Sequence, residues 1–212
     1  MQLHAEICCF PTRPRLAATL AVALLASACV TPGPTRPAQL ELRDESGFVI
    51  TEEVRVSPEV RADYDAALRL LEQEEYGRGI ALLESVTGRA PQVTAAHIDL
   101  GIAYARDGKL ERAEASMRQA LELNPRHPVA HNELGMIQRK TGRFQEARAS
   151  YEQALALYPE FHFARRNLAV LCDVYLADLD CALDHYQRYA ESVPDDDEAT
   201  MWIADLRNRA GQ

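Results

Sequence analysis

The residues best equipped for chemistry are five cysteines, six histidines and a surplus of carboxylates, in a chain of 212 residues with net charge −9. His127 and His131 stand four apart, as do Cys181 and His185, a spacing that puts two ligands on one helical face. Pro128 starts a new helix between the first two, and the repeat pattern places no acidic third ligand, so both read as structural. Asp195–Asp197 lacks the glycine turn and closing glutamate of a calcium loop and reads as negative charge at a helix N-terminus. Glu74 and Glu75 fall on a helix end, away from any convergent pair. There is no phosphate-binding loop, no nucleophile elbow and no His-Glu-x-x-His. The residues point away from an enzyme, with no catalytic set, no metal site, no cofactor and no small-molecule substrate to expect. An acidic chain without a basic face is also no general nucleic-acid binder.

What positions these residues is a repetition. Thr94–His127 written above Pro128–Phe161 places His97 over His131, Leu100-Gly101 over Leu134-Gly135 and Gly108 over Gly142. Ala113 then falls over Ala147, Ala120-Leu121 over Ala154-Leu155 and Pro125 over Pro159, all at an offset of 34. A period of that length marks an array of helix-turn-helix units, each packed only on its neighbours. Small residues let paired helices approach closely, and the glycines suit a left-handed residue where the first helix stops. The apolar 47% is carried mostly by Leu, Ala and Val, with 7% aromatic, which favours helices over sheet. A weaker copy runs over 60–93 and a fourth over 162–194. The closing prolines Pro91, Pro125, Pro159 and Pro194 are spaced 34, 34 and 35, which places one extra residue in the turn Leu176–Asp180. Beyond Pro194, a last helix with a narrow apolar side and a charged one is suited to cap the array within 195–212.

The repeats resemble the tetratricopeptide repeat. The second supplies Leu100, Gly101, Tyr104, Ala113, Ala120 and Pro125, and the third Leu134, Gly135, Ala147, Tyr151, Ala154 and Pro159. The departures are His97 and His131 for the opening aromatic, Gln138 for the tyrosine, and Ala169 and Cys172 for the glycine and tyrosine of the fourth repeat. The resemblance implies an all-α superhelix of about four repeats (60–93, 94–127, 128–161 and 162–194) plus a capping helix. Its first helices would line a concave groove for a partner peptide or helix. Carried over by position, that groove presents Ile98, Ile102, Ala105 and Arg106, then Asn132, Met136, Arg139 and Lys140, then Phe163, Arg166, Val170 and Val174. It is an apolar floor edged with cations, fitted to an apolar segment with an acidic flank or a C-terminal carboxylate. The alternative is an ordinary solvated helix face. Ile98 and Asp99 stand where chaperone-binding members cluster polar residues, so a chaperone-tail receptor is not implied. The layout also brings Cys172, late on one helix, near Cys181, early on the next, either as a disulfide or as two small buried thiols.

The N-terminal part has a different character. Arg13 and Arg15 precede the uncharged run Leu16–Ala26, too short for a mature membrane span and of signal-peptide length. Leu25-Ala26-Ser27-Ala28-Cys29 resembles the lipobox of bacterial lipoproteins, which implies cleavage after residue 28 and acylation of Cys29. Ala26-Ser27-Ala28 equally suits plain secretion. Val30 after the cysteine implies, by the same resemblance, the periplasmic side of the outer membrane, with the lipid as the sole membrane contact. Pro32, Pro34 and Pro37 give 30–39 the character of a tether, and Phe48–Val56 that of a short extended segment without a partner strand, lying against the first helices. The expectation is a membrane-anchored, non-catalytic scaffold or adaptor for a protein partner in assembly of an envelope complex. The family offers two alternatives: a pilotin-like lipoprotein for pilus or secretion-channel biogenesis, and a structural accessory holding an envelope enzyme or an energy-coupled transport complex.

Overall fold

A computed structural model describes residues 38–43 and 49–211. The leader, Cys29 and most of the tether lie outside these residues. Strand β1 (Ala38–Arg43) pairs antiparallel with β2 (Val49–Val54), from Ala38 opposite Val54 to Arg43 opposite Val49. The extended segment therefore has a partner strand, whose first two residues fall inside the stretch 30–39 read as a tether. Leu40 and Leu42 alternate with Gln39, Glu41 and Arg43 in the period-two pattern of a strand, masked by the charges between them. Past β2, Val54 and Val56 pack against the core of the first repeats.

The rest of the described chain is helical: α1 (Pro58–Glu72), α2 (Tyr76–Arg89), α3 (Thr94–Arg106), α4 (Leu110–Leu123), α5 (Pro128–Lys140), α6 (Phe144–Leu157), α7 (His162–Val170), α8 (Leu179–Ser192) and α9 (Asp197–Ala210). Starts follow local chemistry. Ser57 caps α1 ahead of Pro58, the Asp178 carboxylate accepts from the Cys181 N–H at 3.2 Å, and Asp196 caps α9. Among the described residues no helix is long and apolar enough to cross a membrane.

The pairs α1–α2, α3–α4 and α5–α6 are antiparallel hairpins closed by one left-handed residue: Glu74 (φ 59°), Gly108 (φ 78°) and Gly142 (φ 78°). In the fourth, Ala177 takes that role at φ 54°. The turn bond Glu75 N–H to Leu70 C=O recurs as Lys109 to Tyr104 and Arg143 to Gln138, but in the fourth repeat it is Asp178 to Cys172, one residue longer. The extra residue is thus not in the turn Leu176–Asp180, where the sequence placed it. It widens the end of the first helix into a π-helical stretch, Leu171–Leu176, before the turn begins.

Within a repeat the helices meet at small residues. A Cβ on Gly135 would lie 2.7 Å from the Tyr151 ring, and one on Gly101 would lie 2.6 Å from Met117 Cε. Between repeats, each first helix touches the next in the order α1, α3, α5, α7, so this closely spaced row forms the inner wall of the array. On the outer side, ion pairs join neighbouring second helices: Arg112 to Glu84 at 2.7 Å and Arg143 to Glu114 at 2.5 Å. The Arg143 guanidinium, helped by Arg118, pulls the Glu114 carboxyl down to about 2.

Candidate protein-binding groove

The inner wall carries the residues assigned to it by offset, with two exceptions. Ile102, Met136, Arg139, Phe163 and Val170 are half-buried, and Arg106, Lys140, Arg166 and Val174 are exposed. Ile98, expected on the groove floor, is 0% exposed and belongs to the core of the first three repeats, so it offers a partner no surface. Asn132 is also buried, because it is committed internally: its Oδ1 accepts from Asn167 Nδ2 at 2.9 Å and its own Nδ2 donates to Glu133 Oε1 at 3.0 Å. The first of these contacts links α5 to α7, and both turn the amide away from a ligand.

Three features of this wall escaped the sequence reading. The Tyr64 hydroxyl donates to Asp99 Oδ2 at 2.5 Å, joining α1 to α3, and burial raises the Asp99 carboxyl to about 6 against that bond. The Arg166 guanidinium lies 5.3 Å from the Trp202 ring centre, a cation–π contact that seats α9 on α7. Tyr175 stacks 4.8 Å from Phe144, with Arg139 5.9 Å from its ring. All three involve positions next to the assigned ones, so the 34-residue register held the signal once neighbouring first helices were compared.

The charge pattern separates inner wall from outer face. On the second helices Arg112, Arg118, Arg148 and Arg188, and Arg143 at the cap of α6, each pair with a carboxylate. Among the described residues Arg106, Arg139, Lys140 and Arg166 have no such partner. At the far end of the wall, Arg209 of α9 pairs with Asp173.

The histidines fill framework roles. His97 and His131 donate through Nε2 to the carbonyls of Pro91 and Pro125, each at 2.9 Å. Arg165 does the same to Pro159 in the fourth repeat, so the position that is aromatic in the family here ties each helix to the loop before it. His127 Nδ1 instead accepts from the Ala130 N–H at 3.3 Å. Cys172 and Cys181 are joined as a disulfide with their Cα atoms 5.9 Å apart, beside the Asp178 carboxylate. Asp178 is engaged by the α8 N-terminus and, at 3.1 Å, by Arg148.

This geometry agrees with the sequence relations. A family model described as "Tetratricopeptide repeat" matches residues 64–128, 98–160 and 132–174, more than half the chain. The chain belongs to the tetratricopeptide repeat family. A comparison with curated protein sequences finds no match. Among solved structures, MamA (residues 41 to end) from Desulfovibrio magneticus RS-1 superposes with a TM-score of 0.65 at 18% identity, covering 73% of this chain and 87% of that one. Pseudomonas aeruginosa pilF gives 0.65 at 19% identity, covering 71% and 68%. The first tetratricopeptide domain of Spaghetti (RPAP3), bound to the HSP90 peptide SRMEEVD, gives 0.53 at 20% identity, covering 56% and 94%. At these identities the likeness speaks to the fold.

Proposed function

We propose that this protein is a non-catalytic adaptor, anchored through Cys29 to the periplasmic side of the outer membrane, whose groove holds a segment of a partner protein in an envelope complex. The observation that carries the binding reading is the split of the cations. In a chain of net charge −9, the arginines of the second helices are satisfied by carboxylates, while among the described residues Arg106, Arg139, Lys140 and Arg166 pair with no carboxylate on the inner wall, beside Met136, Phe163 and Val170. An apolar floor between unpaired cations suits a segment that alternates apolar and acidic residues, because each charge added there finds an opposite one. The Spaghetti domain shows that this architecture can hold a short peptide rich in acidic residues, SRMEEVD. Anchoring rests on the leader and the Leu25–Cys29 motif, and the proline-rich tether would hold the groove clear of the bilayer.

The test is affinity recovery of the full chain after crosslinking in cells. Arg139→Glu with Lys140→Glu should abolish recovery of the partner, while Arg118→Glu, on the outer face, should leave it intact. Equal recovery with both variants would sink the groove reading. The anchor is tested separately: the mature chain should carry the mass of acyl groups, and Cys29→Ser should lose it.

A further inference from the structure

The last described helix, α9, stands in the register of a first helix. The register that runs His97, His131, Arg165 reaches Thr200 on α9; Leu100, Leu134, Leu168 reaches Ile203; Gly101, Gly135, Ala169 reaches Ala204; Tyr104, Gln138, Cys172 reaches Arg207. In the earlier repeats this face lies against the second helix of its own repeat, and Leu168, Ala169 and Cys172 have no exposure at all. On α9 the same face is open. Thr200, Ile203, Ala204 and Arg207 line, with Gln187, Ala190 and Glu191 of α8, a cleft of about 680 Å³. Among the described residues no helix fills it.

We propose that this cleft is the seat of a second copy of this chain, its α9 entering antiparallel about a two-fold axis near Ala204. The repeat geometry dictates that the occupant is a helix, since that is what covers this face at every earlier position. The charges select α9 itself. Its first turn carries Asp197 and Glu198 and its last turn Arg207, Arg209 being held by Asp173 of its own chain. An antiparallel copy brings each acidic end beside the other's basic end and opposes the two helix dipoles. Glu191 and Arg207 border the same cleft, and among the described residues no ion pair joins either to its own chain. The two-fold operation offers each the opposite charge of the partner copy, twice per interface. Ala204 stands where Gly101 and Gly135 allow close approach, so the crossing point is small. The interface does not use the concave wall, so two grooves would be presented together.

The test uses the full chain in its native membrane. Ala204→Cys places a thiol at the axis on an exposed residue, and mild oxidation should yield a covalent dimer of twice the chain mass. Met201→Cys, exposed on the inner side of the same helix, should yield none. Arg207→Glu in the Ala204→Cys background should weaken association about tenfold, the worth of two exposed pairs turned repulsive. Adding Glu191→Arg should restore the dimer, an outcome that loss of folding cannot imitate. The proposal is overturned if Ala204→Cys gives no more dimer than Met201→Cys, if its crosslink has another protein's mass, or if the double charge reversal fails to restore it. None of these outcomes bears on the inner-wall variants that test the groove.

Discussion

The four hairpin turns allow one chemical change to be tested with opposite expected signs. Gly108 and Gly142 hold φ near 78°, and the equivalent residues in the outer repeats are Glu74 at 59° and Ala177 at 54°. A side chain in the left-handed region costs about 1–2 kcal/mol through the clash of Cβ with the backbone. Glycine removes that cost but frees the unfolded chain by about 0.4–1 kcal/mol. The balance predicts a gain of about 0.5–1 kcal/mol for Ala177→Gly and the same for Glu74→Gly. The gain should sit at the upper end for Ala177, because the Cys172–Cys181 disulfide already restricts the unfolded chain around it. The reverse change, Gly108→Ala, meets no atom within 4 Å, so its expected loss of about 1 kcal/mol comes from backbone conformation alone. Gly88→Ala also meets nothing, but it lies inside α2, where alanine should add up to about 1 kcal/mol. Urea unfolding followed by far-ultraviolet circular dichroism reads all four. A destabilised Ala177→Gly would refute the assignment of Ala177 to the turn, and Gly108→Ala and Gly88→Ala shifting in the same direction would refute the backbone argument behind it.

Three further outcomes follow from buried groups. Replacing both Cys172 and Cys181 by serine opens a loop whose ends are nine apart and should cost about 3 kcal/mol in the chain-entropy model, seen as an earlier urea midpoint; no shift would show that the bridge is absent from the folded protein. Asp99 is raised from 3.8 to about 6 by burial, so the folded state binds its proton more tightly than the unfolded one. Its stabilising contribution is complete below pH 3.8 and fades as pH rises through about 6, and Asp99→Asn should therefore gain stability over the parent across that window; a difference independent of pH would contradict the assignment. The Tyr151 hydroxyl is buried without a partner, and Met117 fills the equivalent place in the repeat before it with no hydroxyl. Tyr151→Phe should match or exceed the parent by up to about 1 kcal/mol, and a loss larger than that would mean the hydroxyl has a partner.

The fold was legible because a repeat states itself more than once. Leu100-Gly101 alone is an unremarkable pair, but with Leu134-Gly135 an exact period away it dictates a close helix–helix approach, and the Met117 and Tyr151 contacts at those glycines bear that out. What the period could not supply was the location of a departure from it. The spacing of 35 before Pro194 counted one extra residue, and the missing glycine drew it into the turn. The backbone puts it in the helix instead, because Ala177 can adopt the left-handed angle and a π-helical turn keeps Leu171 and Cys172 buried. The strand β1 was lost for a related reason: its partner lies outside the repeats, so no second copy reinforced a six-residue alternation.

The groove was legible only to its outline. Register gives the side of a helix that a residue occupies, but whether that residue is available depends on what the next repeat places beside it. Asn132 and Lys140 both lie on the inner side by offset. Asn132 is consumed because Asn167 comes within 2.9 Å of it, while among the described residues Lys140 meets no carboxylate. The same holds for the arginines: Arg143 and Arg139 are four apart, yet one holds Glu114 at 2.5 Å and the other stands open on the wall. These are contacts between residues about 30 positions apart, and they fall where the copies have diverged. A repeat therefore announces its scaffold through what is conserved between its own units, whereas its binding surface is set by the pairings that the differences make and leave unmade. In this chain such pairings are left unmade, among the described residues, at Arg106, Arg139, Lys140 and Arg166 of the inner wall and at Glu191 and Arg207 on the open face of α9.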